Sequence, residues 1–357
     1  MYLATSKIAI MKLRKITFGV ISMLMLITAC NSDDDTTTTF VERDRQEVYD
    51  ENITEIEEYL TTHTYNYSDY DFANPYTLAN DNFEIIFDTI SATNGNLDAI
   101  ALIDRPELSS KIVTENDIDH TLYFLNIREG LGNVVHPLDA VGVTYEGILL
   151  DGTVFDGADV VNSPFDLTSA GTSFGVITGF REALIEFKTR DGYSENGDGT
   201  TTNHNFGIGA AFIPSGIAYF SSSTTTIPSY YPLIFKFGVL TRINTDYDGD
   251  GIPSYLEDLD ADGAGDDEDT DGDSFSNFVD SDDDNDGVST IDEIIENVYV
   301  IDTNNGDVEP VYADNEYETT RSQISGVITI KTITLMDSDN NGIADYLEDT
   351  ISINYDN

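Results

Sequence analysis

The chain has 357 residues and no Trp, yet its 20 Tyr and 18 Phe supply enough bulk for one or two ordinary cores. A formal charge of -51, from 67 Asp and Glu against 16 Lys and Arg, excludes nucleic acid as a partner and anionic lipid as an electrostatic one, because phosphate recognition needs Lys and Arg. The single cysteine, Cys30, excludes an intramolecular disulfide.

In chain order, Lys12, Arg14 and Lys15 precede an apolar run from Ile16 to Ile27, which ends in Thr28-Ala29-Cys30. A basic start, a short apolar stretch and small residues at a cleavage point describe a secretory signal over residues 1–29. The run is short for a membrane span. The sequence Ile27-Thr28-Ala29-Cys30 resembles a bacterial lipobox. That resemblance implies that Cys30 becomes the first mature residue and carries a lipid anchor, several acyl chains holding where one binds only marginally. It also implies an outer-membrane lipoprotein of the bacterial envelope, with its face of the membrane left open. Residues 30–41 are polar and read as a tether.

Residues 42–126 are expected to form an N-terminal extension. Val48, Ile53, Ile56 and Leu60 make an apolar helical stripe between Glu42 and Thr62. Phe83–Ile90 and His120–Ile127 read as strands. No chemistry is assigned to this extension. The four histidines show no metal-ligand spacing, and no Ser/His/Asp set stands out.

Between 127 and 243 the pattern changes. Val141–Asp156 alternates around the turn Asp151-Gly152, which describes a β-hairpin. Phe180, Ala183, Leu184 and Phe187 lie on one helical face. The polar stretch Thr189–Asn205 reads as an inserted surface loop, and residues 226–240 close the region, ending in an alternating strand.

The order Tyr-x-Gly, Asp-Gly-x-x-Phe-Asp, Pro-Phe, Val-Ile, Ile-Pro, Ala-Tyr, Ile-Pro and Leu-Ile-Phe through this region resembles the FKBP-type peptidyl-prolyl cis–trans isomerases. The resemblance implies an α+β fold, an antiparallel sheet wrapped around one short helix. It further implies a pocket for proline-containing polypeptides lined by Tyr145, Phe155, Asp156, Phe165, Val176, Ile177, Phe180, Tyr219, Ile227 and Phe235, with no catalytic cofactor. Phe180 stands where most members carry Trp, which narrows the platform for the proline ring. A proline-binding module without turnover and a calcium-dependent surface or adhesion protein are the alternatives.

Residues 244–297 carry a repeat, D-x-D-x-[DN]-G with a carboxylate at position twelve. Its copies are Asp246, Asp248, Asp250 with Glu257; Asp258, Asp260, Asp262 with Asp269; Asp269, Asp271, Asp273 with Asp280; and Asp282, Asp284, Asp286 with Glu293. A β-rich segment at 298–335 is followed by a terminal copy within 336–357, formed by Asp337, Asp339, Asn341 and Glu348. Between Asp246 and Glu293 there are 20 acidic residues and no Lys or Arg. Carboxylates at positions one, three and five converge when the chain bends at position six, and position twelve closes an oxygen cage for a hard cation such as Ca²⁺. The close succession of loops resembles thrombospondin type 3 repeats more than helix-flanked EF-hands. The expectation is an elongated, calcium-stiffened tail. Ser274 replaces glycine at position six of the third loop, so that loop is expected to be less secure.

Overall fold

Asp44 starts the first helix: its side chain accepts the Glu47 amide at 3.0 Å, satisfying one orphan donor of the first turn. In the computed structural model, which describes residues 41–161, 163–169 and 175–355, this helix, α1, runs Arg45–Thr62. The expected signal, Cys30 and the tether up to residue 40 lie outside the described residues. No helix among the described residues is long and apolar enough to cross a membrane.

The strands of the first half are β1 (His63–Tyr65), β2 (Phe87–Thr89), β3 (Leu108–Glu115), β4 (Ile118–Arg128), β5 (Ala140–Leu149), β6 (Val154–Ala158), β7 (Phe165–Asp166), β8 (Gly192–Glu195), β9 (Thr201–His204), β10 (Gly207–Ile213) and β11 (Leu233–Ile243). A second helix, α2, spans Thr178–Leu184. Seven of the strands form one antiparallel sheet in the order β3-β4-β10-β11-β5-β6, with β7 pairing β5. Among the described residues the fold is mostly sheet with two α-helices, an α+β arrangement. Only Phe87–Thr89 of the expected strand Phe83–Ile90 pairs, with β1.

Both faces of the sheet are covered. On one face α2 contributes Phe180, Ala183 and Leu184 to a core with Val143, Leu149, Ala211, Ile213, Phe235 and Phe237. On the other, α1 contributes Ile56, Tyr59 and Leu60 against Leu125, Ile127, Ala210, Phe212 and Ile234. The sheet therefore does not simply wrap one short helix; α1 backs it. All seven residues of β10 are buried, as a strand covered on both faces requires. Gly209 in β10 has no room for a side chain, since a Cβ there would stand 2.3 Å from Phe187. The expected boundary between 126 and 127 falls inside β4, which pairs with β10. The inserted stretch after Thr189 is ordered as the hairpin β8–β9 rather than as a plain loop.

The acidic half folds around three further strands, β12 (Ile294–Asp302), β13 (Glu316–Ile324) and β14 (Val327–Leu335), in the order β12-β14-β13. Ile252 of the first loop, Ile294 and Ile333 of the sheet, and Tyr346 of the terminal loop share one apolar cluster. The expected elongated tail is thus drawn back on itself, because buried apolar side chains at both ends of the segment find each other through the sheet.

Candidate functional site

Two regions concentrate chemistry: an aromatic cavity beside α2 and the acidic loops.

The cavity encloses about 330 Å³ and is lined by Tyr145, Asp156, Phe165, Val176, Ile177, Phe180, Tyr219 and Phe235, together with Pro164, Asp166, Ser169 and Gly175. β5 delivers Tyr145, β6 delivers Asp156, and β11 delivers Phe235. Phe180 rises from the first turn of α2 and stacks on Phe235 with ring centroids 4.7 Å apart. Tyr145 stands 5.6 Å from Phe165 and 6.1 Å from both Phe180 and Phe235. The rings border an open hollow rather than filling it.

The polar groups converge at the rim. Tyr145 Oη donates to Asp156 Oδ2 at 2.9 Å, and Asp156 Oδ1 accepts the Gly157 amide at 2.9 Å. Burial, with the Asp156 carboxylate beside it, pushes the Tyr145 phenol up to about 12. Burial and the charge of Asp156 raise Tyr219 as well. Both phenols therefore keep their protons at neutral pH and remain donors.

Two expected members do not line the cavity. Phe155 packs edge-on against Phe235 at 5.4 Å and lies close over Gly147, where a Cβ would fall 2.5 Å from its ring. Ile227 is buried in the core behind the rings. Alternation explains Phe155, because Asp156 occupies the adjacent, cavity-facing position on the same strand. A larger cleft of about 420 Å³ opens on the other face of the sheet, but the ion pair Lys236–Glu146 and Asp81, Glu84 and Asp159 line it. It is less suited to an apolar ring.

The acidic loops repeat one hydrogen-bond scheme. The carboxylate at position three accepts the amide of position five, as Asp248 does from Asp250 at 3.2 Å and Asp284 from Asp286 at 3.1 Å. Position five accepts from position seven, at 2.8 Å for Asp250–Ile252, Asp262–Ala264, Asp273–Phe275 and Asp286–Val288. Position six is left-handed in every copy: φ is 96° at Gly251, 89° at Gly263, 92° at Gly287 and 94° at Gly342. Ser274 adopts the same bend with φ of 83°, so the third loop keeps its shape despite lacking glycine. Single 3₁₀ turns, not full helices, lead into Glu257, Asp280, Glu293 and Glu348.

Asp246, Asp248 and Asp250, then Asp258, Asp260 and Asp262, then Asp269, Asp271 and Asp273, then Asp282, Asp284 and Asp286 each bring carboxylate oxygens within 4.8 Å of one another. Neither oxygen of buried Glu257 or Glu293 has a hydrogen-bond partner. Burial and the neighbouring carboxylates push Glu257 up to about 11, and Asp250 and Glu293 to about 9. Such groups demand a cation or protons. Among the described residues no position-twelve carboxylate clusters with all three carboxylates of its own loop: Glu257 groups with Asp250 and Asp283, and Glu293 stands outside the Asp282, Asp284 and Asp286 cluster. Asp269 does not join Asp258, Asp260 and Asp262; Glu268 reaches back instead, accepting the Asp260 amide at 3.4 Å. Asp280 does not join Asp269, Asp271 and Asp273. In the terminal loop, Glu348 returns to accept from Asn341 Nδ2 at 2.7 Å, while Asp337 and Asp339 serve as turn acceptors.

A family model described as "BamM C-terminal" matches residues 247–319, the acidic loops and the start of the following sheet. No curated protein matches the chain. Among solved structures, a peptidyl-prolyl cis–trans isomerase from Pseudomonas syringae pv. tomato is similar at 16% identity over 57% of this chain and 98% of that one, with a TM-score of 0.31. FkpA from Escherichia coli is similar at 23% identity over 39% of this chain and 53% of that one, TM-score 0.28. The three FKBP domains of wheat FKBP73 give 18% identity, 38% and 51% coverage and a TM-score of 0.27.

Three features escape sequence reasoning. Asn52 of α1 is buried and bridges the segment that carries Tyr219, accepting the Ser215 amide at 2.8 Å and donating to the Tyr230 carbonyl at 2.9 Å. Asp283 is out of register with the repeat yet groups with Asp250 and Glu257. A Ser/His/Asp set does exist: His204 Nδ1 lies 3.0 Å from Asp81 and its Nε2 lies 2.6 Å from Ser194 Oγ. Asp81 is already paired with buried Arg128 at 2.9 Å and accepts the Asn205 amide at 3.0 Å. That charge is spent on Arg128, so the chain of bonds fastens the β8–β9 hairpin to the sheet.

Proposed function

We propose that the domain catalyses cis–trans isomerisation of X–Pro bonds in polypeptides, as the FKBP-like motif order implies. The observation carrying this reading is the open aromatic cavity, in which eight of the ten expected pocket residues meet. Rotation about a peptide bond must break amide resonance, a barrier of ~18–20 kcal/mol. No nucleophile or proton transfer is required. The twisted amide is less polar than the planar one, so a dry hollow walled by Phe165, Phe180 and Phe235 favours it over water does, which is differential binding of the transition state. Tyr219 donates to a substrate carbonyl. Asp156, steadied by Tyr145, faces the rotating carbonyl. With a lipid on Cys30, as the lipobox resemblance implies, the substrates are exported proteins of the bacterial envelope.

A protease-coupled assay on a proline peptide tests this with the full chain. Tyr219→Phe should lower kcat/KM by about tenfold, the worth of one hydrogen bond made in the transition state. A folded protein with no rate above background ends the enzymatic reading. One observation favours the rival, a binding module: Phe180 is 3% exposed and stacked on Phe235, so the floor offers less surface than an indole would. Peptide affinity without turnover would establish it. We assign the acidic loops to structural Ca²⁺, supported by the buried carboxylate oxygens that have no partner.

A further inference from the structure

Asp283 breaks the register of its loop. Asp282, Asp284 and Asp286 hold positions one, three and five, whereas Asp283 sits at position two, where the other loops carry Tyr247, Leu259, Thr270 and Ser338. An exposed acid at such a position would be unremarkable, but Asp283 is 1% exposed. The Thr290 hydroxyl donates to its Oδ2 at 2.6 Å, and its Oδ1 is buried without a hydrogen-bond partner. A carboxylate oxygen of Asp283 lies within 4.8 Å of oxygens from Asp250 and Glu257, positions five and twelve of the first loop.

Those two are equally short of partners. Glu257 is fully buried with both oxygens unpartnered, and Asp250, 2% exposed, uses Oδ1 on the Ile252 amide and leaves Oδ2 free. No Lys or Arg occurs between Asp246 and Glu293 to neutralise them. Three buried carboxylates without a counter-charge repel one another and lose their hydration, so the arrangement needs a cation at its centre. An all-oxygen, carboxylate-rich set from irregular loops suits Ca²⁺, which accepts six to eight oxygens in flexible geometry; Mg²⁺ demands a strict octahedron and keeps its waters. The first loop also lies beside the end of the fourth, since a Cβ on Gly251 would meet Ile294, the residue that follows Glu293, at 3.1 Å and Ile291 at 3.9 Å.

We propose that one calcium ion lies between Asp250 and Glu257 of the first loop and Asp283 of the fourth, so that a single cation fastens two repeats that are not neighbours in sequence. This deepens, and rests on, the reading of the loops as calcium sites. The ion and the adjoining cluster of Ile252, Ile294, Ile333 and Tyr346 then close the acidic half on itself.

Calcium titration of the full chain, wild type beside Asp283→Asn, tests it. The amide keeps the shape and a carbonyl for Thr290 while removing the charge. One site is expected to weaken at least tenfold, with the others unchanged. Unchanged affinity at every site overturns the bridge while leaving the loops as calcium binders, and a wild type that takes up no calcium removes both. Should the variant fail to fold, hydrogen exchange on the wild type decides. Residues 246–257 and 282–293 are expected to gain protection at one calcium concentration, and protection at two separate concentrations overturns the bridge.

Discussion

His120 is a buried residue whose surroundings oppose its charge. It is 2% exposed on β4, meets Tyr49 edge-on at 5.0 Å, and leaves Nδ1 without a partner. Burial, with Arg45 nearby, lowers its pKa from 6.5 to about 4, only partly offset by Asp119. The unfolded chain therefore binds this proton more readily than the folded one. The stability that His120 contributes is full above pH 6.5 and is lost as the pH falls through about 4. Urea midpoints measured across that window should drop more steeply for the wild type than for His120→Gln, whose side chain does not titrate. Ser274 shows the same scale from the backbone side: a serine holds a left-handed bend that its neighbours give to glycine.

At the scale of elements, α1 does more than cover the back of the sheet. Its Asn52 hydrogen-bonds both ends of the segment from Ser215 to Tyr230, in which Tyr219 sits at the cavity rim. Within that segment Phe220 and Tyr230 take φ of 43° and 63°, conformations that need outside support. Arg45 stacks over Phe220 at 4.1 Å and supplies part of it. Asn52→Ala would leave the Ser215 amide and the Tyr230 carbonyl unpaired, a loss of ~1–3 kcal/mol per buried group. Chemical denaturation should read that loss. The extension that carries no recognisable motif is thus the brace of the candidate site.

For the whole molecule, the acidic half is the conditional part. The sheet around α2 has a conventional apolar core, whereas the loops from Asp246 to Glu293 hold 20 acidic residues with no basic one among them. Removing divalent cations with a chelator should raise hydrogen exchange across residues 246–293 and 337–348 and leave β4, β5, β10 and β11 protected. Equal loosening of both halves, or of neither, would contradict the calcium assignment.

Much of this was legible beforehand, because it is local. Loop spacing, glycine at position six, the alternation of β5 and β11 and the face of α2 depend on residues close in sequence, and eight of the ten expected pocket residues do line one cavity. Sequence spacing by itself determined the loop geometry, whereas the aromatic set was what the FKBP-like motif order implied. What only tertiary structure decided are the pairings between distant segments: α1 behind the sheet, Asn52 across to Ser215, Phe155 behind Phe235, His204 onto Asp81 and Asp283 into the first loop. Periodicity tells which side of an element is buried, but not what it is buried against. That choice belongs to the competition among all apolar and charged surfaces as the chain closes.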